Sequence, residues 1–261
     1  MEKFQQNVLE TCQNLRLIDD TLFRLIGERP EVCQEILRTI LDDKELEVIS
    51  SKAQETMVSL YREVVLDVLC KSKDGKLFNV EVQKGNRNND VKRCRFHLST
   101  ITANNTPKGT DFDNILDVVV VYITEYDVLN NGQSVTCSEM CQMVNGEYKP
   151  VCDGAKVYYA NPVGKDNGEQ KELLELFLRK DAFTNEKFPN LSSAMRFYKE
   201  DERGVNIVCS LVQECVNEGI QEGKRKQAIE DAIRMIQKGF NTEDIADITE
   251  LSEKEIEGLR K

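Results

Sequence analysis

Residues 77–85 read LFNVEVQKG, an alternation of apolar and polar side chains that is typical of a β-strand. The apolar positions, which predict the face toward a core, are Phe78, Val80 and Val82. Glu81 and Gln83 then point together in the opposite direction. A solvated outer face is the ordinary explanation, because antiparallel sheets commonly bury only one face. The residues before this strand favour a chemical role for the two polar side chains instead.

A turn built on Asp74-Gly75 precedes the strand, and this pair between two alternating segments is a strong hairpin signal. A two-residue loop would send Asp67 and Glu81 to opposite faces of the hairpin. A three-residue loop over residues 73–75, with Gly75 in the left-handed conformation, places Asp67 directly opposite Glu81. We expect the three-residue loop, which brings both acids and Gln83 to one face.

Two carboxylates that face each other across a strand pair repel, so they need a source of positive charge. Mg²⁺ meets this need. It is a hard ion that prefers oxygen ligands, and proteins often hold it with one or two carboxylates, several waters and a substrate phosphate. The spacing alone fits equally well a pair of surface acids with basic neighbours.

The local charge changes sign directly after this strand, although the chain as a whole carries a formal charge of −11. Between residues 84 and 108 only Asp90 is acidic, whereas six residues are basic: Lys84, Arg87, Lys92, Arg93, Arg95 and Lys108. The total charge argues against a protein that coats nucleic acid through a general positive field. The basic segment indicates either a solvated helix face or a surface that contacts phosphate.

The pattern along the chain predicts an α/β fold. The N-terminal part and residues 89–104 have apolar residues at helical spacing, and residues 113–126, DNILDVVVVYITEY, predict a strand that is buried on both faces. Helices, a hairpin, a helix and a buried strand together indicate an α/β sandwich. We expect further elements in AKVYYANP and EQKELLELFLRKDAF, a strand and a helix respectively.

Composition predicts a globular protein of the cytoplasm with no membrane partner. The 261 residues are 40% hydrophobic, no apolar run reaches the length of a membrane span, and MEKFQQNVLE lacks the order of a secretory signal. Nine scattered cysteines favour reduced thiols over disulfides. Cys137, Cys141 and Cys152 leave zinc binding as an alternative, but a fourth ligand is not evident.

The C-terminal segment predicts a small helical unit. A long helical pattern stops near Gly239, and two short helices follow with caps at Asn241 or Thr242 and at Ser252, where Glu255 completes a capping box. The two helices suggest a helix-turn-helix motif. From residue 241 onward seven acids face three basic residues, which favours protein contact or a homo-oligomer over DNA binding.

The quoted motifs resemble the PD-(D/E)XK nuclease superfamily, in its transposase-like or recombination-promoting branch. The resemblance rests on LDV with Asp67, the DG turn, NVEVQ and KRCRFHLS, in that order. It extends to DDTLFRLIG, to KGTDFDNILDVVVVYITEYD and to the C-terminal helices. It implies a restriction-endonuclease-like core, with a central mixed sheet and an antiparallel hairpin flanked by helices, over residues 1–200. Residues 201–261 would form a C-terminal helical extension.

The resemblance also implies roles for single residues. Asp67 and Glu81, with the Val82 carbonyl, would hold Mg²⁺, for which Mn²⁺ can substitute. Gln83 stands at the lysine position of the superfamily, and its neutral amide can only orient water or phosphate through hydrogen bonds. Asp20 is a candidate for a further acid from the first helix, with Asp19 as a competitor.

The helix after the motif carries the expected DNA contacts. Arg93 and Arg95 match the basic pair of this branch, and Ser99 matches a polar position that would touch phosphate. Phe96 and His97 fall where the branch usually has two tyrosines, so His97 is a departure whose role is open between a donor, a proton relay and a packed ring.

The function that the resemblance implies is a metal-dependent DNA endonuclease that hydrolyses phosphodiester bonds, linked to recombination, transposition or defence. The alternative is a catalytically inactive DNA- or protein-binding module on the same scaffold. The neutral Gln83 and the acidic total charge favour that alternative.

Overall fold

The computed structural model describes residues 2–58, 62–85 and 89–260, with side chains from residue 6 onward. The chain divides into two compact units, residues 1–208 and residues 209–261. The predicted boundary after residue 200 lies just before a long helix, whereas the division between the two units falls within that helix, after residue 208. No helix in the described ranges has both the length and the apolar character needed to cross a membrane.

The elements follow the predicted order of helices, hairpin, helix and buried strand. The helices are α1 (Glu2–Asn14), α2 (Asp20–Gly27), α3 (Pro30–Leu41), α4 (Asp90–Asn104), α5 (Glu169–Leu176), α6 (Pro189–Glu200), α7 (Glu202–Gln237), α8 (Thr242–Thr249) and α9 (Glu253–Leu259). The strands are β1 (Val48–Val58), β2 (Glu63–Ser72), β3 (Leu77–Gln83), β4 (Val118–Thr124), β5 (Val135–Glu139), β6 (Cys141–Val144), β7 (Glu147–Pro150) and β8 (Ala155–Ala160). A short 3₁₀ helix spans Phe112–Asn114.

Six strands form one mixed sheet in the order β1-β2-β3-β4-β8-β5, which confirms the predicted fold class. The pairs β1/β2, β2/β3 and β5/β8 are antiparallel, whereas β3/β4 and β4/β8 are parallel. All seven residues of β3 and all seven of β4 are buried. A solvated outer face for β3 is therefore wrong: the side chain of Glu81 is 1% exposed and Gln83 is 6% exposed.

Helices cover both faces of the sheet. On one face α2 and α3 pack against β1 and β2, with α5 and α6 behind α3. On the other face α4 packs against β4, β1, β2 and β8. The face of α2 comes so close to β2 that a Cβ atom on Gly27 would lie 2.2 Å from Val68 Cγ2. Gly27 is therefore required by contact distance rather than by backbone conformation.

The hairpin has the predicted three-residue loop. Ser72 N–H donates to Lys76 O at 3.0 Å, and Gly75 has a φ of 92°. Val68 pairs with Val80 and Cys70 with Phe78 in β2 and β3. Continuing this register by one residue puts Asp67 opposite Glu81, as the loop length predicts.

In the second unit, α8 and α9 pack with the end of α7 around Ala232, Ile245, Leu251 and Ile256. Asn241 caps α8 by accepting a hydrogen bond from the Asp244 N–H, and Ser252 and Glu255 form the predicted capping box of α9. The predicted helix stop at Gly239 is confirmed by its φ of 83° after the end of α7.

Gly27→Ala tests the close approach of α2 to β2. We expect the free energy of unfolding to fall by about 1–3 kcal/mol, because the added methyl group overpacks the contact with Val68. The measurement is urea denaturation followed by circular dichroism.

The matched control is Gly219→Ala, where an added Cβ meets nothing within 4 Å and stability should stay the same or rise by up to about 1 kcal/mol. Combining Gly27→Ala with Val68→Ala should give a loss smaller than the sum of the two single losses, and equal denaturation midpoints for Gly27→Ala and wild type would contradict the packing argument.

Candidate active site

Asp67 and Glu81 each bind a backbone amide of the opposite strand at the point where β2 and β3 separate. The Asp67 N–H donates to Glu81 Oε1 at 3.2 Å, and the Val82 N–H donates to Asp67 Oδ2 at 2.8 Å. The regular ladder ends one residue earlier, at Val68 and Val80, while β3 stays paired with β4 as far as Gln83. The carboxylates thus take over backbone hydrogen bonds and are held within reach of each other.

The environment of the pair disfavours two negative charges. The pKa of Asp67 is raised to about 8, first by burial of the carboxyl group and then by the charge of Glu81. The Val82 N–H opposes this rise, whereas the nearby Asp20 adds to it. Loss of solvation also raises the pKa of Asp20; Arg24 opposes this rise, and the charge of Glu81 adds to it. The structure therefore joins Asp20 electrostatically to the predicted pair.

Asp19, the competitor of Asp20, has other partners. It accepts hydrogen bonds from the Arg16 N–H and from Lys84 Nζ, both at 2.8 Å. Lys84 therefore contacts the residue before α2 instead of the acidic pair. Of the two neighbouring acids, the one coupled to Glu81 is Asp20.

Helix α4 brings two cationic or ionisable groups to Glu81. Arg93 Nη2 lies 3.7 Å from Glu81 Oε2, and His97 Nδ1 lies 3.3 Å from Glu81 Oε1. The helix is fixed by Asp90 at its first residue, whose Oδ1 accepts a hydrogen bond of 2.8 Å from the Tyr122 hydroxyl. Sequence reasoning missed this anchor, although Tyr122 lies beside Glu81 in the parallel pair of β3 and β4.

Asn79 is a further site residue that sequence reasoning missed. Its Nδ2 donates to Glu81 Oε1 at 2.9 Å, and it is fully buried. The signal was present in the sequence, because Asn79 lies two residues before Glu81 and strand alternation puts both on one face. Asn79 helps to orient the Glu81 carboxylate.

The residues at this site fit a divalent cation. Two buried oxygen atoms here, Asn79 Oδ1 and Glu81 Oε2, lack a hydrogen-bond partner in the described structure. Hard carboxylate oxygens and a carboxyl with a raised pKa are groups that a divalent cation would stabilise. Within the described side chains, no three His, Cys, Asp or Glu residues form a ready metal-binding group. An ion would thus depend on the two carboxylates, on waters and on substrate.

Three of the predicted site residues lie apart from the acidic pair. Gln83 Nε2 donates to the carbonyls of Lys84 and Gly85, at 2.7 and 3.3 Å, instead of turning toward Glu81. Arg95 and Ser99 are exposed, one helical turn apart, and Ser99 Oγ donates to Arg95 O at 2.9 Å. Their DNA contacts stay predictions, as does the Val82 carbonyl as a ligand. Arg87 of the basic segment lies outside the described residues.

Comparison with known families identifies the chain. The profile of the PD-(D/E)XK nuclease family transposases matches residues 20–161, which is more than half of the chain. The chain belongs to this family, and its mixed sheet with flanking helices is a restriction-endonuclease-like α/β fold. Nuclease or transposase-like chemistry on DNA is the function class of the family. No curated protein and no solved structure is significantly similar to the chain.

The raised pKa of Asp67 predicts that the metal-free protein loses stability as pH rises. Between the unfolded pKa near 4 and the folded pKa of about 8, the folded state holds one proton more than the unfolded state. Stability therefore decreases across this window, by at most about 1.4 kcal/mol per pH unit for one proton. The measurement is thermal unfolding in chelator from pH 5.5 to 8.5, and Asp67→Asn should flatten the slope. A slope that is the same in wild type and variant would assign the proton to another group.

Proposed function

We propose that this protein is a Mg²⁺-dependent DNA endonuclease that hydrolyses phosphodiester bonds. The observation that carries the proposal is the buried pair of Asp67 and Glu81, held at a strand separation by each other's backbone amides. Such a pair is costly without a cation, so its retention in the core of a nuclease fold supports a role in chemistry. Recombination, transposition and defence are the processes that such an enzyme would serve.

Asp67 and Glu81, with the Val82 carbonyl, would hold Mg²⁺, for which Mn²⁺ can substitute. When bound, the ion would polarise the scissile phosphate and lower the pKa of a water. Glu81 Oε2 is suited to the ion because it is buried and has no hydrogen-bond partner among the described residues. Asp20 would tune the charge of the pair from the start of α2, since its carboxyl is coupled to Glu81.

The other predicted residues would position substrate. Arg93 would bind a phosphate next to the pair, because its guanidinium group reaches Glu81 and its Nε has no hydrogen-bond partner in the described part of the chain. Arg95 and Ser99 would hold the DNA backbone on the exposed side of α4. Contacts to phosphate fix position without reading sequence, so we expect weak sequence specificity. Gln83 would orient water only after its amide leaves the Lys84 carbonyl, and His97 would act as a donor next to Glu81.

A catalytically silent DNA- or protein-binding module is the second candidate. It is favoured by the amide of Gln83, which is bound to backbone carbonyls, and by Arg93, which already approaches Glu81 with a positive charge. A silent scaffold needs no ion, because the guanidinium group offsets part of the charge.

Isothermal titration calorimetry with Mn²⁺ separates the two candidates. The endonuclease should bind Mn²⁺, and Glu81→Ala should remove most of the heat because it deletes one of two carboxylate ligands. Asp74→Ala is the matched control, since Asp74 lies in the hairpin loop at the other end of β2 and β3. Identical isotherms for wild type and Glu81→Ala would favour the silent module.

Cleavage is tested on supercoiled plasmid with Mg²⁺ and with Mn²⁺. We expect the wild type to nick the plasmid. The nicking rate should fall about a hundredfold or more in Asp67→Ala, because the ion that would stabilise the charge of the transition state loses a carboxylate ligand. Asp74→Ala should nick like the wild type. Nicking that persists unchanged in Asp67→Ala would point to a contaminant or to another site.

A further inference from the structure

A groove of about 480 Å³ lies between the start of β2 and helix α4. Its lining residues include Arg62, Val65, Lys92, Arg93, Phe96 and His97. The groove shares Arg93 and His97 with the candidate active site, because these two α4 residues approach Glu81. A polymer bound in the groove would therefore enter the site along α4.

The floor of the groove carries a flat aromatic platform. Phe96 is 36% exposed, and the Arg62 guanidinium lies over its ring at 5.7 Å from the centroid. Val65 adds an exposed apolar side chain, at 46% exposure. Stacked guanidinium and aromatic groups present a planar surface that is partly apolar and positively charged. Such a surface suits the face of a nucleobase better than a phosphate.

The charge of the groove agrees with a nucleic acid strand. Arg62, Lys92 and Arg93 are cationic and Glu63 is the acidic lining residue, although the chain as a whole is strongly acidic. Phosphates would find partners along the rim while bases contact the floor. A regular duplex hides the faces of its bases in the stack, so it would leave Phe96 without a partner. An unpaired strand exposes the base faces and can use both features.

We propose that this groove binds an unpaired stretch of DNA, with one base stacked on the Arg62–Phe96 pair and a neighbouring phosphate beside Arg93. The inference rests on the proposed function, since it names the form of DNA that the same site takes. Substrates with flaps, bubbles or single-stranded ends would be preferred over intact duplex. Phe96 and Arg62 are then specificity-determining residues: Phe96 lies next to His97 on α4, and Arg62 directly precedes β2.

Fluorescence anisotropy in chelator measures binding without cleavage, with a labelled single-stranded oligonucleotide and a labelled hairpin duplex of equal length. We expect the single strand to bind more tightly than the duplex. Phe96→Leu keeps an apolar side chain but removes the ring, so it should weaken single-strand binding about tenfold and leave duplex binding unchanged. Phe96→Tyr keeps the ring and should bind like the wild type.

Two further variants make the test specific. Arg62→Lys keeps the charge but loses the planar group, so it should weaken single-strand binding in the same direction as Phe96→Leu. Phe112→Ala is the matched control, because Phe112 is 84% exposed and does not line the groove. A 2-aminopurine base in the oligonucleotide should be quenched on binding to wild type and less so with Phe96→Leu. Circular dichroism melting of each variant verifies folding.

The outcomes distinguish this inference from the proposed function. Equal affinity for duplex and single strand, with no effect of Phe96→Leu on either, would overturn the groove assignment even if the protein nicks plasmid through Asp67. Single-strand binding that depends on Phe96, in a protein whose Asp67-dependent cleavage cannot be measured, would support the groove and count against the endonuclease. Weaker binding in Phe112→Ala equal to that in Phe96→Leu would also overturn the assignment, because the effect would not depend on the groove.

Discussion

The rest of the site depends on the hydrogen bonds that the carboxylates of Asp67 and Glu81 accept from backbone amides across β2 and β3. Each acid accepts the backbone N–H that the separating strands leave unpaired, Asp67 from Val82 and Glu81 from Asp67 itself. Two backbone donors are thereby satisfied inside the sheet, where an unpaired amide is costly. The same contacts force two acids together under poor solvation, which raises the pKa of Asp67. The hydrogen bonds that satisfy the two backbone amides thus place two acids close together, and a bound cation would offset their charge.

Helix α4 supplies positive charge to this site, and its helical period places its polar residues on two different sides. Arg93 and His97 are one turn apart and face Glu81, together with the buried Cys94. Arg95, two residues from Arg93, lies on the opposite side and is exposed, as is Ser99 one turn later. The inner side of α4 therefore acts on the acidic pair, and its outer side is free for longer-range contacts. Asp90 keeps this phase fixed because its carboxylate accepts the Tyr122 hydroxyl at the helix start.

Local signals in the sequence predicted the local geometry well. The glycine at position 75 selects the three-residue loop, and the loop sets the register that makes Asp67 and Glu81 neighbours. The dense Val118–Thr124 strand and the caps at Asn241 and Ser252 were equally readable. Long-range packing was not. Burial of the polar face of β3 requires α4 to pack across the sheet, against β1, β2, β4 and β8 as well. The orientation of the Gln83 amide depends on the carbonyls of Lys84 and Gly85 in the folded loop. The sequence could have predicted that Arg93 and Arg95 lie on different sides of α4, because the spacing of Cys94, His97 and Ile101 marks the buried face of the helix.

The side chain of Gln83 carries no charge, and a cationic group close to Glu81 comes instead from Arg93 of helix α4. A lysine at position 83 would be a cation on the strand that carries Glu81. The amide present there is satisfied by the Lys84 and Gly85 carbonyls and carries no charge. Arg93 lies 3.7 Å from Glu81 Oε2, so its positive charge offsets part of the negative charge of the acids. Its guanidinium group approaches Glu81 from α4, so part of the charge of this acid is offset from the helix. Under the proposed function, Glu81 would face both this guanidinium group and a divalent cation, and a substrate phosphate would offer Arg93 an alternative partner. Binding of substrate would in this way release Glu81 for the ion, which couples assembly of the site to the presence of DNA.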